Sequence, residues 1–180
     1  MRRLNEAVAA RLAIRITGNM ALAHQVFKQK VDLIRDEHYR LSTGPKGLSP
    51  YSSAEGYLKT ECYLLLLKYQ TRWGHELIKR LTYFGIRDPR QPLYESNPFY
   101  WGLLAIDPDF RELKAKDLSL LSKQLLHARR HRIAPQHLIG FLYQCGSQAA
   151  LRQKVAANLR EEAFEDVSRR YDALVNGIDW

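Results

Sequence analysis

A chain of 180 residues, 46% hydrophobic and 11% aromatic, is long and apolar enough to fold around a real core and is not a disordered polymer. Lys and Arg number 28 against 19 Asp and Glu, and the resulting charge of +9 favours a polyanionic partner, since each phosphate neutralised releases condensed counterions. An acidic subunit would satisfy the same excess. Two cysteines, Cys62 and Cys145, neither in a CxxC pair, exclude an all-cysteine zinc site and read as thiols of a reducing compartment.

Glu6, Arg11 and Arg15 interrupt any signal-peptide core at the N-terminus. The greasiest run, Tyr63 to Leu67, is far shorter than the roughly 20 residues of a membrane span. A soluble, cytoplasmic protein is the expectation. Leu4, Val8, Leu12 and Ile16 recur at spacing four and predict an amphipathic helix that Gly18 and Asn19 stop. Two short helices are expected next, from Ala21 to Lys28 and from Val31 to Ser42, with polar Lys28, Gln29 and Lys30 between their apolar faces. The three together have the grammar of a helix-turn-helix unit, spanning about residues 1–44. In such a unit the second helix enters the DNA major groove, and Lys30, Arg35 and Arg40 are its long donors. Gly44, Pro45, Lys46, Gly47 and Pro50 then make a stiff cationic turn suited to phosphate or to a partner.

Residues 45–180 are expected to form a larger helical bundle, continuous with the first unit or separate from it. Ser53 is an N-cap for a long helix to about Trp73, with Gly56 a weak point in it. That helix is apolar around most of its circumference, which makes it central to the core or to a subunit interface. Gly74 separates it from a helix over His75 to Phe84, ended by Gly85. Ile86 to Pro98 carries three prolines and is irregular, with Arg87 and Arg90 as candidate phosphate contacts. Phe99, Tyr100, Trp101, Leu103 and Leu104 predict a short helix plugging the core; a stacking platform for single-stranded nucleic acid is the sharper alternative.

Asp117 to Arg132 is amphipathic and ends in His127, Arg129, Arg130, His131 and Arg132, the densest positive charge in the chain. Cations are stabilised at a helix C-terminus in any case, and phosphate contact is the functional reading. Pro135 opens a further helix closed by Cys145 and Gly146. Ser147 starts the last, whose apolar line runs from Leu151 to Val175 and whose mixed charge suits solvent or a partner. No strand is expected, so the fold class is all-α.

Catalytic signatures are missing: there is no GxxxxGK[ST], GxGxxG or HExxH. His127 and His131, four apart, make half a zinc site, and the arginines around them oppose metal capture. Glu161, Glu162, Glu165 and Asp166 lack the ExxH that completes a di-metal bundle. No enzyme, cofactor or metal is expected.

The stretch HQVFKQKVDLIRDEHYRLSTGPKGLSPYS resembles FlhC-type transcriptional activators, the large subunit of the bacterial flagellar master regulator. In that family a helix-turn-helix-like segment leads to a GxxPPKGxLPxS loop, matched here by Gly44, Pro45, Lys46, Gly47, Leu48, Pro50 and Ser52. LLSKQLLHARRHRIAPQHLIGFLYQCG is similar to the family's later helix leading to its first cysteines, so the resemblance extends from Ala13 to Gly146. The family's four zinc-binding cysteines have only Cys145 near their place, and no zinc site carries over. The resemblance implies a DNA-binding activator in a hetero-oligomer with a small helical FlhD-type dimer, recruiting RNA polymerase to flagellar-type or conjugative-transfer genes. Its expected contacts to double-stranded DNA are Lys28, Lys30, Arg35, Arg40, Lys46, Arg129, Arg130 and Arg132. A helical adaptor or chaperone that holds a protein partner is the alternative, and an enzyme with a site not legible from motifs is a third.

Overall fold

The N-terminal quarter is a single rod. In a computed structural model, α1 runs unbroken over Arg2–Ser42, 41 residues or about 60 Å at 1.5 Å per residue. The model describes residues 2–70, 72–82, 92–109, 111, 113–159 and 161, with side chains from Met20 onward except at 72 and 73. The expected helix-turn-helix is therefore corrected: no turn separates Ala21–Lys28 from Val31–Ser42, and Gly18 and Asn19 lie inside the helix. Physically, a helical glycine costs only about 1 kcal/mol, while Lys28, Gln29 and Lys30 are good helix formers that extend into solvent without bending the backbone. The rod ends where Ser42 and Thr43 hydroxyls bond back to the Tyr39 carbonyl and Pro45 blocks continuation.

In the Gly-Pro-Lys-Gly turn, Gly47 has φ 82°, a conformation side-chain-bearing residues rarely adopt. Ser53 then caps α2 (Ala54–Lys68), accepting from the Gly56 amide at 3.0 Å and donating to the Pro50 carbonyl at 2.9 Å. Next come α3 (Arg72–Thr82), α4 (Pro98–Ile106), α5 (Ala115–Arg130), a 3-10 turn at Pro135–His137 leading into α6 (Leu138–Gln144), and α7 (Gln148–Ala156). Among the described residues the fold is all-helical, without strands, and no helix is long and apolar enough to cross a membrane.

From Met20 onward, one buried cluster joins the described helices. Met20, Phe27, Val31 and Ile34 of α1 join Cys62, Tyr63 and Leu66 of α2, Phe99 and Leu103 of α4, and Leu118 and Leu125 of α5. The aromatic residues of α4 are core: Phe99 and Trp101 are buried, and the Tyr63 and Phe99 rings lie 5.8 Å apart, so a base-stacking platform is not formed there. Asn97 caps α4, and its amide donates to Ser122 of α5 at 3.1 Å.

Two boundaries differ from the expected ones. Gly74 lies within α3, because α2 already ends at Tyr69, whose amide bonds back to Leu65 at 3.2 Å. A Cβ on Gly74 would sit 1.8 Å from the Tyr69 carbonyl oxygen, so the chain reversal there demands glycine. Gly74→Ala is expected to destabilise the protein by about 1–3 kcal/mol, as other overpacked sites do; a urea melt checks it, and an unchanged midpoint would contradict this packing. α7 ends at Ala156, with Asn158 at φ 55° turning the chain, so the apolar line expected from Leu151 to Val175 is not one helix. Phe84, Gly85, Arg87, Arg90, Glu162, Glu165, Asp166 and Val175 lie outside the described residues.

Candidate functional site

On a continuous helix the predicted donors cannot share a face. At about 100° per residue, Lys30, Arg35 and Arg40 point around the whole circumference of α1, and Lys28 lies about 160° from Lys30. Arg35 turns inward, donating to the Ile106 carbonyl at 2.7 Å and lying 3.4 Å from the fully buried Asp107 carboxylate. The same carboxylate accepts the backbone amides of Arg111 and Leu113 at 3.0 and 2.8 Å, so Arg35 helps hold the loop that follows α4. Arg40 pairs with Glu37 through both carboxylate oxygens at 2.7 and 2.5 Å, and this raises the guanidinium pKa and holds Glu37 below the usual carboxylate range. Arg130 donates to the Val155 carbonyl at 3.2 Å, fastening α7 to α5. Lys28, Lys30, Lys46, Arg129 and Arg132 are exposed.

α1 also splits an apolar face expected from the sequence: Phe27 is buried, while Leu22 and Val26, read as lying on its face, are exposed together with Leu33. Leu22, Val26 and Leu33 remain 60, 41 and 59% exposed. They fall within about 40° of one another on the helix wheel, roughly 130° away from the buried Met20, Phe27, Val31 and Ile34. The stripe borders a groove of about 450 Å³ between α1 and α2, where Val26 and Leu33 face Tyr57 and Leu64, with Lys30 and Lys68 at the rim. The visible signal was a second apolar line on a helix whose first line is already used.

The basic end of α5 divides in two. His127 and His131, four residues apart, both point into the core, 0 and 3% exposed, with ring centroids 4.8 Å apart and both rings against Phe141. Their expected role as surface cations is corrected by helix geometry: residues at i and i+4 share a face, and this face is the one that meets α6. Over them folds the segment after α7. Glu161 accepts from Lys154 Nζ with both carboxylate oxygens at 2.8 Å and lies 3.0 Å from His127 Nε2, while its backbone amide donates to His131 Nε2 at 3.0 Å. Lys154 also donates to the Cys145 carbonyl at 3.3 Å.

Burial and charge shape the titration of this cluster. Burial pushes the Cys145 thiol up to about 12, and the nearby Glu161 carboxylate adds to the effect. Burial holds the His127 imidazole below its ordinary value, against the opposing pull of Glu161. For Glu161, burial raises the pKa, but hydrogen bonds from Lys154 and His127 outweigh it and leave the group low. Ligand atoms of His127, Cys145 and Glu161 all lie within 4.8 Å of one another. Only the histidine pair was legible as metal-type spacing; the other two donors come from 18 and 34 residues along the chain from His127. Comparison with protein-family models, with curated proteins and with solved structures finds no match.

Proposed function

We propose that this protein is a non-enzymatic helical subunit that docks a partner protein along α1 and, in the resulting hetero-oligomer, binds double-stranded DNA to activate transcription. The observation that carries the reading is the exposed line of Leu22, Val26 and Leu33 beside the groove between α1 and α2. Contiguous apolar surface of this kind costs solubility and is ordinarily kept for a partner. A helix with leucine-type knobs fits the groove, as the small helical FlhD-type partner implied by the resemblance would supply.

DNA contact is supported by the charge of +9 and by the exposed Lys28, Lys30, Lys46, Arg129 and Arg132. It does not use a recognition helix over Val31–Ser42, and Arg35, Arg40 and Arg130 have structural engagements. Phosphate contact through Lys46, Arg129 and Arg132 is the form of binding these positions support, with recruitment of RNA polymerase as the downstream step and the cytoplasm as the compartment. The dispersion of cations around α1 favours a second reading, an adaptor that binds protein alone.

Mobility shifts on promoter-type duplexes at about 50 and 200 mM salt, with and without a co-expressed FlhD-type partner, separate the two. Three phosphate contacts predict a loss of affinity of about fortyfold across that range. Combined replacement of Lys46, Arg129 and Arg132 by Gln is expected to flatten the salt dependence by about three contacts. Absence of any salt-dependent shift, alone or in complex, eliminates the DNA-binding reading and leaves the adaptor.

A further inference from the structure

We propose that His127, Cys145 and Glu161 form a binding site for a divalent transition ion of the zinc class, clasping the segment after α7 to α5 and α6. The inference is independent of the docking and DNA-binding reading. Three observations carry it.

The first is convergence. One nitrogen, one sulfur and one carboxylate oxygen from three separate parts of the chain lie within 4.8 Å of one another, with His127 and Cys145 fully enclosed and the Glu161 side chain 15% exposed. Around a tetrahedral zinc, donors of these types sit about 3.3–3.7 Å apart, so closure on an ion needs a contraction of about 1 Å. His127 Nε2 and Glu161 Oε1 are already 3.0 Å apart. An ion seated there takes the place of the proton between them.

The second is an orphaned atom. His127 Nδ1 is buried and has no hydrogen-bond partner among the described residues. With the imidazole proton on Nδ1, Nε2 offers its lone pair to the ion, while the Nδ1 N–H stays buried without an acceptor among the described residues, a cost that the metal bond has to exceed. The Cys145 thiol releases its proton to solvent as the sulfur binds. One proton leaves per ion bound, and two anionic ligands with one neutral imidazole balance the dication. Nitrogen, thiolate and carboxylate together suit zinc rather than calcium or magnesium, which take oxygen ligands.

The third is support around the ligands. Lys154 bonds both oxygens of Glu161, so it keeps hold of one when the other turns to the ion, and His131 fixes the Glu161 backbone. Such outer contacts orient metal ligands. Three protein ligands leave a fourth position for water, and the enclosure makes the site a fastening.

The test uses the reduced, full-length chain titrated with cobalt(II). One cobalt per chain is expected, with the near-ultraviolet absorption of a thiolate-to-cobalt bond, displaced by zinc and accompanied by a rise in melting temperature. Cys145→Ser should abolish that absorption and Glu161→Gln should weaken binding by at least about tenfold, whereas Cys62→Ser, at a thiol buried elsewhere in the core, should retain both. Circular dichroism checks that each variant is folded; should Cys145→Ser fail to fold, the wild-type titration and Cys62→Ser decide alone. No thiolate absorption in the wild type, or absorption that disappears with Cys62 and persists without Cys145, overturns the proposal.

Discussion

Asp107→Ala is expected to lower the unfolding free energy by about 3–5 kcal/mol, the range for removing one partner of a buried charge network. Asp107 is 1% exposed and gathers the Arg111 and Leu113 amides together with Arg35. Its loss leaves the Arg111 and Leu113 amides without this acceptor, each a desolvation cost of its own, and leaves Arg35 with the Ile106 carbonyl but no counter-charge there. For a chain of 180 residues that corresponds to a fall in melting temperature of about 10 °C. Arg35→Ala is expected to cost less, about 1–3 kcal/mol, because the arginine is partly hydrated and its loss leaves Asp107 with two backbone donors. Thermal melts by circular dichroism give both values. The pair also separates two roles for Arg35: a DNA contact would lose duplex affinity with its melting temperature intact, whereas a positioning residue loses stability first. An Asp107→Ala protein melting within a degree or two of the wild type would show that this network does not hold the loop after α4.

The helical class and most element ends could be read from local chemistry, because a cap or a positive-φ glycine acts within a few residues of itself. Ser53 and Ser147 cap α2 and α7 as expected, and Gly146, at φ 87°, follows the end of α6 at Cys145. The failures are of two kinds. In α1 the run Lys28-Gln29-Lys30 was read as a break between two apolar faces, yet a helix presents polar residues on one side without interrupting the other. Met20, Phe27, Val31 and Ile34 satisfy one continuous buried face. The other failure is distance along the chain. Arg35 finds its acceptor 72 residues away. Glu161 meets His127 only because the chain turns at Asn158 instead of extending α7. Periodicity reports which side of an element is apolar; it carries nothing about which partners a tertiary reversal will deliver.

The apolar stripe on α1 makes the strongest functional prediction. Leu22→Gln, Val26→Lys and Leu33→Gln together are expected to leave the melting temperature nearly unchanged, since exposed substitutions usually fall within about 0.5 kcal/mol each. Solubility should improve, and binding of a hydrophobic fluorescent dye by the isolated chain should fall. Capture of a co-expressed FlhD-type partner should weaken by about a hundredfold or more, because two central apolar anchors worth about 2 kcal/mol each already exceed that factor. A control triple at His24, Lys28 and Asp32, exposed positions on other sides of the same helix, should leave capture intact. The two sets differ only in which side of the rod they alter, so a specific loss with the first identifies the stripe as the docking surface. Equal retention by both would mean that the exposed leucines are ordinary surface, and the case for a partner on α1 would go with them.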